Sequence, residues 1–235
     1  MASSRRRSTR LALVALLTGI LIAGSPGSLG TASATTSGNA PASTSGVRSL
    51  DDINEDIRSA QYVINRFWAA HWSEFFSGRY SPPRVLGAYD GGWSDTPTCQ
   101  GYPLPDDNAL YCWPPYDFVA WDVDLMRMGY RQGDAWVYLI IAHEWAHAVQ
   151  ARIPERLLSR QFELQADCLA GAALFGARDD GILYFETGDT AEIAAALRAH
   201  ADDTPWTDVS DHGTAAQRLG AFNRGARQGV GGCFA

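Results

Sequence analysis

From Asp134 to Ala151 the chain is apolar nearly all round, through Ala135, Trp136, Val137, Leu139, Ile140, Ile141, Ala142, Trp145, Ala146, Ala148 and Val149. A helix that is apolar on every side has to be buried, so the remainder of the fold must wrap it. Inside this run stands His143-Glu144-Trp145-Ala146-His147. Histidines four residues apart share one helix face, one turn apart, and both imidazoles can reach one metal ion. Glu144 lies about 100° round the helix from His143, where it can touch a metal-bound water without displacing it. Five His and seven Glu in 235 residues would produce this pattern by chance on the order of 0.003 times. Ionisable groups in so apolar a helix are costly unless they serve a purpose.

A hydrolytic zinc site takes three protein ligands and keeps one position open, with imidazole nitrogens at about 2.0–2.1 Å. The third ligand is expected on a neighbouring helix. Glu163-Leu164-Gln165-Ala166-Asp167 supplies two carboxylates at i and i+4, on one face. In the favoured assignment Glu163 completes a His, His, Glu set, and Asp167 accepts the other N–H of a ligand imidazole. The spacing leaves the swapped assignment open, with Asp167 on the metal and Glu163 outside. The 15 residues between His147 and Glu163 are enough for a turn at Pro154 and a returning helix. Further on, Asp211-His212-Gly213-Thr214 precedes the last helix, with Arg218 one turn into it. A His on a loop facing the metal could stabilise the oxyanion of a tetrahedral intermediate, with Asp211 orienting it. The rival reading of His212 is a surface histidine beside a helix cap. His71 is read as part of the first helix and His200 as solvated.

Three segments divide the chain. Residues 1–34 read as an export signal: a basic stretch from Arg5 to Arg10, an apolar run from Leu11 to Ile22, and a small-residue site at Ala32-Ser33-Ala34. A membrane span needs roughly 20 apolar residues, and this run is shorter. The consecutive arginines leave both the general and the twin-arginine export routes open. Residues 35–49 are mostly Ser, Thr, Gly and Ala with one Pro, a flexible linker that cannot bury enough apolar area to fold. Residues 50–235 form the globular domain. A secreted or otherwise extracytoplasmic location follows, with no stable membrane association once the signal is removed. All 19 basic residues are Arg, and the net charge is −7 although the signal segment holds four Arg and no acid. The mature chain is more acidic still, which removes the electrostatic case for a nucleic-acid partner.

Within the domain, helical spacing runs from Asp51 to Phe76, with strands expected at Arg84–Tyr89, Ala109–Trp113 and Phe118–Val123. After the central helix, helices are expected over Glu155–Phe175, ended by Gly176, over Thr190–Ala201, and over Thr214–Arg227 behind a Thr cap. Early strands and later helices without regular alternation predict an α+β domain, mostly helical with a small sheet. The exported context makes disulfides plausible. Cys99 and Cys112 flank a Pro- and Gly-rich loop and are the favoured local pair, leaving Cys168 for Cys233. The alternative leaves one pair free and buried.

Four segments together resemble a known family, the neutral zinc metallopeptidases of bacteria, within the zinc peptidases that have a Glu third ligand. They are Asn108 to Cys112, His143 to Gln150 (HEWAHAVQ), Glu163 to Gly171 (ELQADCLAG) and His212 to Gly225 (HGTAAQRLGAFNRG). They run in the family's order across about Cys99 to Phe234. The resemblance implies a zincin-type domain with zinc held by His143, His147 and Glu163, and Glu144 as catalytic base. It also implies that Asp167 supports a ligand and that His212 steadies the transition state. The link from His147 to Glu163 is shorter than is usual in the family, and Trp145 and Ala148 replace residues commoner there. The reading that results is an exported zinc-dependent peptidase acting on a peptide or protein substrate. Its rival is a non-catalytic zinc-binding scaffold on the same shell. The strand at Phe118–Val123 is expected to offer the sheet edge on which an extended peptide adds.

Overall fold

The computed structural model describes residues 50–203 and 211–234; the expected signal segment and linker lie outside them. Helix α1 (Leu50–Phe75) is followed by strand β1 (Arg84–Tyr89), a small hairpin of β2 (Thr98–Cys99) and β3 (Tyr102–Pro103), and strands β4 (Ala109–Cys112) and β5 (Phe118–Asp122). Then come α2 (Val123–Tyr130), α3 (Ala135–Gln150), α4 (Phe162–Asp179), α5 (Asp189–Ala199) and α6 (Ala215–Gln228). The domain is α+β, as expected.

Helix α3 is the core element. All of its residues except Tyr138 and Ile140 are buried. Helix α1 lays Ile57, Val63, Ile64, Phe67, Trp68 and Trp72 into the same core, and Tyr138 Oη donates to Ser59 Oγ at 2.7 Å across that contact. Trp145, one of the departures from the family signature, is buried and donates its indole N–H to Tyr80 Oη at 2.8 Å. It ties α3 to the segment that enters the sheet.

The sheet corrects one expectation. Its order is β1-β5-β4, with β5 parallel to β1 and antiparallel to β4. The Phe118–Val123 region is therefore the centre of the sheet, buried at every strand residue, and the edges are β1 and β4. A strand flanked on both sides and covered on both faces needs the unbroken Phe-Val-Ala-Trp run, so that run marks interior position. Trp121 is buried within the core and cannot touch an added peptide. The strand also ends one residue early, because Asp122 caps α2 by accepting from the backbone N–H groups of Asp124 and Leu125.

The helix expected from Glu155 is instead a short 3-10 turn (Glu155–Leu157), an extended step, and then α4 from Phe162. Gly176 does not end α4, which continues to Asp179. A Cβ at Gly176 would lie 2.2 Å from the Phe67 ring, so this glycine lets α1 approach. The closest helix crossing, α4 on α6, is built likewise. A Cβ on Gly171 would meet the Phe222 carbonyl oxygen at 2.3 Å, and one on Gly225 the Cys168 carbonyl oxygen at 1.8 Å. Helix α6 opens with the expected Thr214 cap, reciprocated by Gln217 as a capping box. Both favoured disulfides are present, Cys99–Cys112 and Cys168–Cys233.

Two glycine substitutions in one helix are expected to move stability in opposite directions. Gly225→Ala drives a methyl into backbone and should cost about 1–3 kcal/mol or more. Gly220→Ala meets nothing within 4 Å and should add up to about 1 kcal/mol through helix propensity. Urea unfolding of the two variants beside the parent measures both.

Candidate metal centre

His143 and His147 project from one face of α3, and Glu163 from the first turn of α4 meets them. Glu163 Oε2 lies 3.0 Å from His143 Nε2 and 3.2 Å from His147 Nε2, and the two Nε2 atoms are 3.2 Å apart. Three donors at 2.0–2.1 Å from a tetrahedral zinc would stand about 3.3 Å from one another. The triangle of two imidazole nitrogens and a carboxylate oxygen thus fits zinc in ligand type and in spacing. The structure brings Glu163 to the triangle and places Asp167 behind it.

Asp167 has no exposure to solvent. Its Oδ1 lies 2.9 Å from His143 Nδ1, and both of its oxygens accept from the Arg218 guanidinium at 2.8 Å. Burial pushes the Asp167 pKa up, but the Arg218 charge and the hydrogen bonds from Arg218 and His143 outweigh it, and the net shift is downward. For His143, burial disfavours the charged form, yet the hydrogen bonds and charges of Asp167 and Glu163 prevail and raise its pKa. Glu163 is likewise pushed up by burial and pulled well below the usual carboxylate range by His147 and His143. Protons compete with a metal for such imidazoles, so affinity falls as the pH drops.

Glu144 is buried beside the triangle, and burial raises its pKa against the opposing pull of His143 and His147. The Tyr111 backbone N–H donates to its carboxylate, so β4 turns its free side toward Glu144. One cavity, about 320 Å³, is bounded by Asn108 and by Ala109 to Tyr111 of β4, by the triangle and Glu144, and by Leu125, Leu139 and His200. His212 also lines it, half-exposed, with Nε2 4.0 Å from Glu163 Oε2 and Nδ1 3.8 Å from Asp202 Oδ1. Burial lowers the His212 pKa.

The sequence reading missed several residues. Arg218 was noted for its position, not as the cation on Asp167. Asp202 faces His212 from a segment that the reading left unassigned. His200 is not solvated: it lines the cavity, packs edge-on against Trp136 with ring centroids 5.0 Å apart, and its Nε2 is buried with no hydrogen-bond partner among the described residues. Burial, and then the positive charge of Arg218, push its pKa down to about 4, so its ring is neutral at pH 7. Gln150 receives the other N–H of His147 at 2.8 Å. Its place three residues after His147, on the same helix face, was a readable signal.

The family model described as "Putative neutral zinc metallopeptidase" matches residues 12–233. The chain belongs to this family. The match extends well beyond the half of the chain that carries the motifs. Among curated proteins, the chain is similar to "Uncharacterized protein YpfJ" of Escherichia coli strain K12. They are 31% identical over an alignment of 149 residues, and the match covers 53% of this chain and 50% of that protein. The protein of the same description from Escherichia coli O6:H1 strain CFT073 gives the same figures. The chain thus spans about half the length of the curated relatives it matches. No solved structure matches it.

Removing the Arg218 charge strands a fully buried carboxylate, a change that costs about 3–5 kcal/mol when one partner of a buried pair is lost. Arg218→Met is expected to show that loss in denaturant unfolding. The double variant Arg218→Met/Asp167→Leu should recover a large part of it, because no unpaired charge then remains.

Proposed function

We propose that this chain is an exported zinc-dependent peptidase that hydrolyses peptide bonds in a peptide or protein substrate. The observation that carries the reading is the placement of Glu144. Its buried carboxylate stands beside the triangle of His143, His147 and Glu163, inside the cavity that the free side of β4 borders. A binding scaffold would need the triangle but has no use for a protonatable carboxylate beside it.

His143, His147 and Glu163 would hold the zinc. When bound, the ion acidifies a water and polarises a carbonyl as a Lewis acid. Glu144 takes the proton of the attacking water and passes it to the leaving amine; its raised pKa suits both halves of that transfer. His212 faces the same cavity and in this reading donates to the oxyanion. An extended substrate strand pairs with β4, the sheet edge that lines the cavity. The cavity is mixed in character, with Leu125, Leu139 and Trp113 among its walls, which favours an apolar side chain next to the scissile bond.

Export is supported by the two disulfides, a bond type that persists in oxidising compartments. Among the described residues no helix is long and apolar enough to cross a membrane. The residues 1–34 signal and the 35–49 linker remain part of this reading, with residues 50–235 as the working domain.

The test is cleavage of a diverse peptide mixture by the zinc-loaded chain, followed by mass spectrometry, with Glu144→Gln run beside it. Glu144→Gln is expected to bind zinc as the parent does and to lose cleavage by at least about 10²-fold, the scale of general base catalysis. A parent that binds one zinc and cuts nothing would favour the scaffold instead.

A further inference from the structure

His147 meets an uncharged partner, unlike His143 with its carboxylate. Gln150 is 1% exposed, and its Oε1 lies 2.8 Å from His147 Nδ1. Which end of that amide faces the imidazole is decided at its other end. Gln150 Nε2 lies 2.9 Å from the Phe162 carbonyl oxygen and 3.1 Å from Gln165 Oε1, and a backbone carbonyl can only accept. Gln165, 3% exposed, is oriented in the same way. Its Nε2 faces the carbonyls of Leu157 at 2.7 Å and Cys233 at 3.2 Å, and its Oε1 accepts from the Ser159 backbone N–H at 3.1 Å. Exchanging O and N in either amide would set acceptor against acceptor or donor against donor. Backbone groups of fixed polarity therefore orient Gln165; Gln165 and Phe162 orient Gln150; and Gln150 Oε1 requires a proton on His147 Nδ1. One of those backbone groups belongs to Cys233, which its disulfide fastens to Cys168 on α4, the helix that carries Glu163.

We propose that Gln150, backed by Gln165, is a positioning residue that confines His147 to its Nδ1–H form and aims the bare Nε2 at the metal position. The inference rests on the zinc reading of the site, but not on the peptidase activity. A hydrogen-bond partner of this kind contributes about 10–100-fold to metal affinity.

The experiment measures zinc affinity by competition with a chelator, and solvent exchange of the His147 Nδ1 proton by NMR of the zinc-loaded, 15N-histidine-labelled chain. Gln150→Met is expected to weaken zinc about 10–100-fold and to expose that proton to rapid exchange. Gln150→Glu keeps an acceptor toward His147 Nδ1 but sets its second oxygen against the Phe162 carbonyl and Gln165 Oε1, so it should retain the protected proton while losing stability, a split that a purely packing role does not predict. Gln165→Met leaves Gln150 in place and should shift both readouts in the same direction by less; it decides the matter if Gln150→Met fails to fold. A parent that binds zinc while these Met variants match it in affinity and proton protection overturns the proposal alone. A parent that takes up no zinc overturns the metal reading and the proposal with it.

Discussion

The structure depends on a carboxylate without access to water. Asp167 sits between the imidazole of His143 and the guanidinium of Arg218, and each of the three groups would be expensive to bury alone. Together they saturate both carboxylate oxygens and join α3, α4 and α6 at one point. Arg218 also donates to the His200 carbonyl at the end of α5, so the same guanidinium reaches the fourth helix. The packing around this point is close because it has to be. Glycines at 171 and 225 bring the α4 and α6 backbones together, and a looser crossing would draw Arg218 away from Asp167.

Much of the site was legible before any coordinates. The His-Glu-x-x-His spacing, the apolar run around it and the i, i+4 carboxylates on the next helix each carry a physical meaning on a helix surface. The structure brings Glu163 to the imidazoles and sets Asp167 behind them, the favoured of the two assignments left open by spacing. The cysteine pairing was equally readable, since a loop rich in turn residues invites a local bridge and leaves one pairing for the other two. Helices with clear caps, such as α6 behind Thr214, fell within a residue or two of their expected bounds.

What escaped the sequence reading depends on contacts between distant segments. The Phe118–Asp122 run is apolar in the manner of a fully buried strand, yet its neighbours are chosen by topology, and periodicity alone does not reveal them. Gly176 carries the same letter whether it ends a helix or admits Phe67 against one, and only the position of α1 distinguishes the two. His200 looks solvated because it closes an amphipathic helix. Trp136, 64 residues earlier on α3, turns it inward.

The two ligand histidines of the proposed site are supported unequally, and the inequality has a physical use. Asp167 places a full negative charge behind His143, which makes that imidazole a stronger donor, but Arg218 neutralises the charge so that it does not add to Glu163 and Glu144 nearby. A second carboxylate behind His147 would have no such counter-ion: among the described residues, the groups around Gln150 are amides and backbone carbonyls. A neutral amide there fixes the ring without adding negative charge to a cluster that already holds Glu163 and Glu144. Glu144, whose pKa burial already raises, would be raised further by another buried carboxylate. Amides behind one histidine and a neutralised carboxylate behind the other would therefore let the proposed site take a dication without setting a further buried negative charge against Glu144.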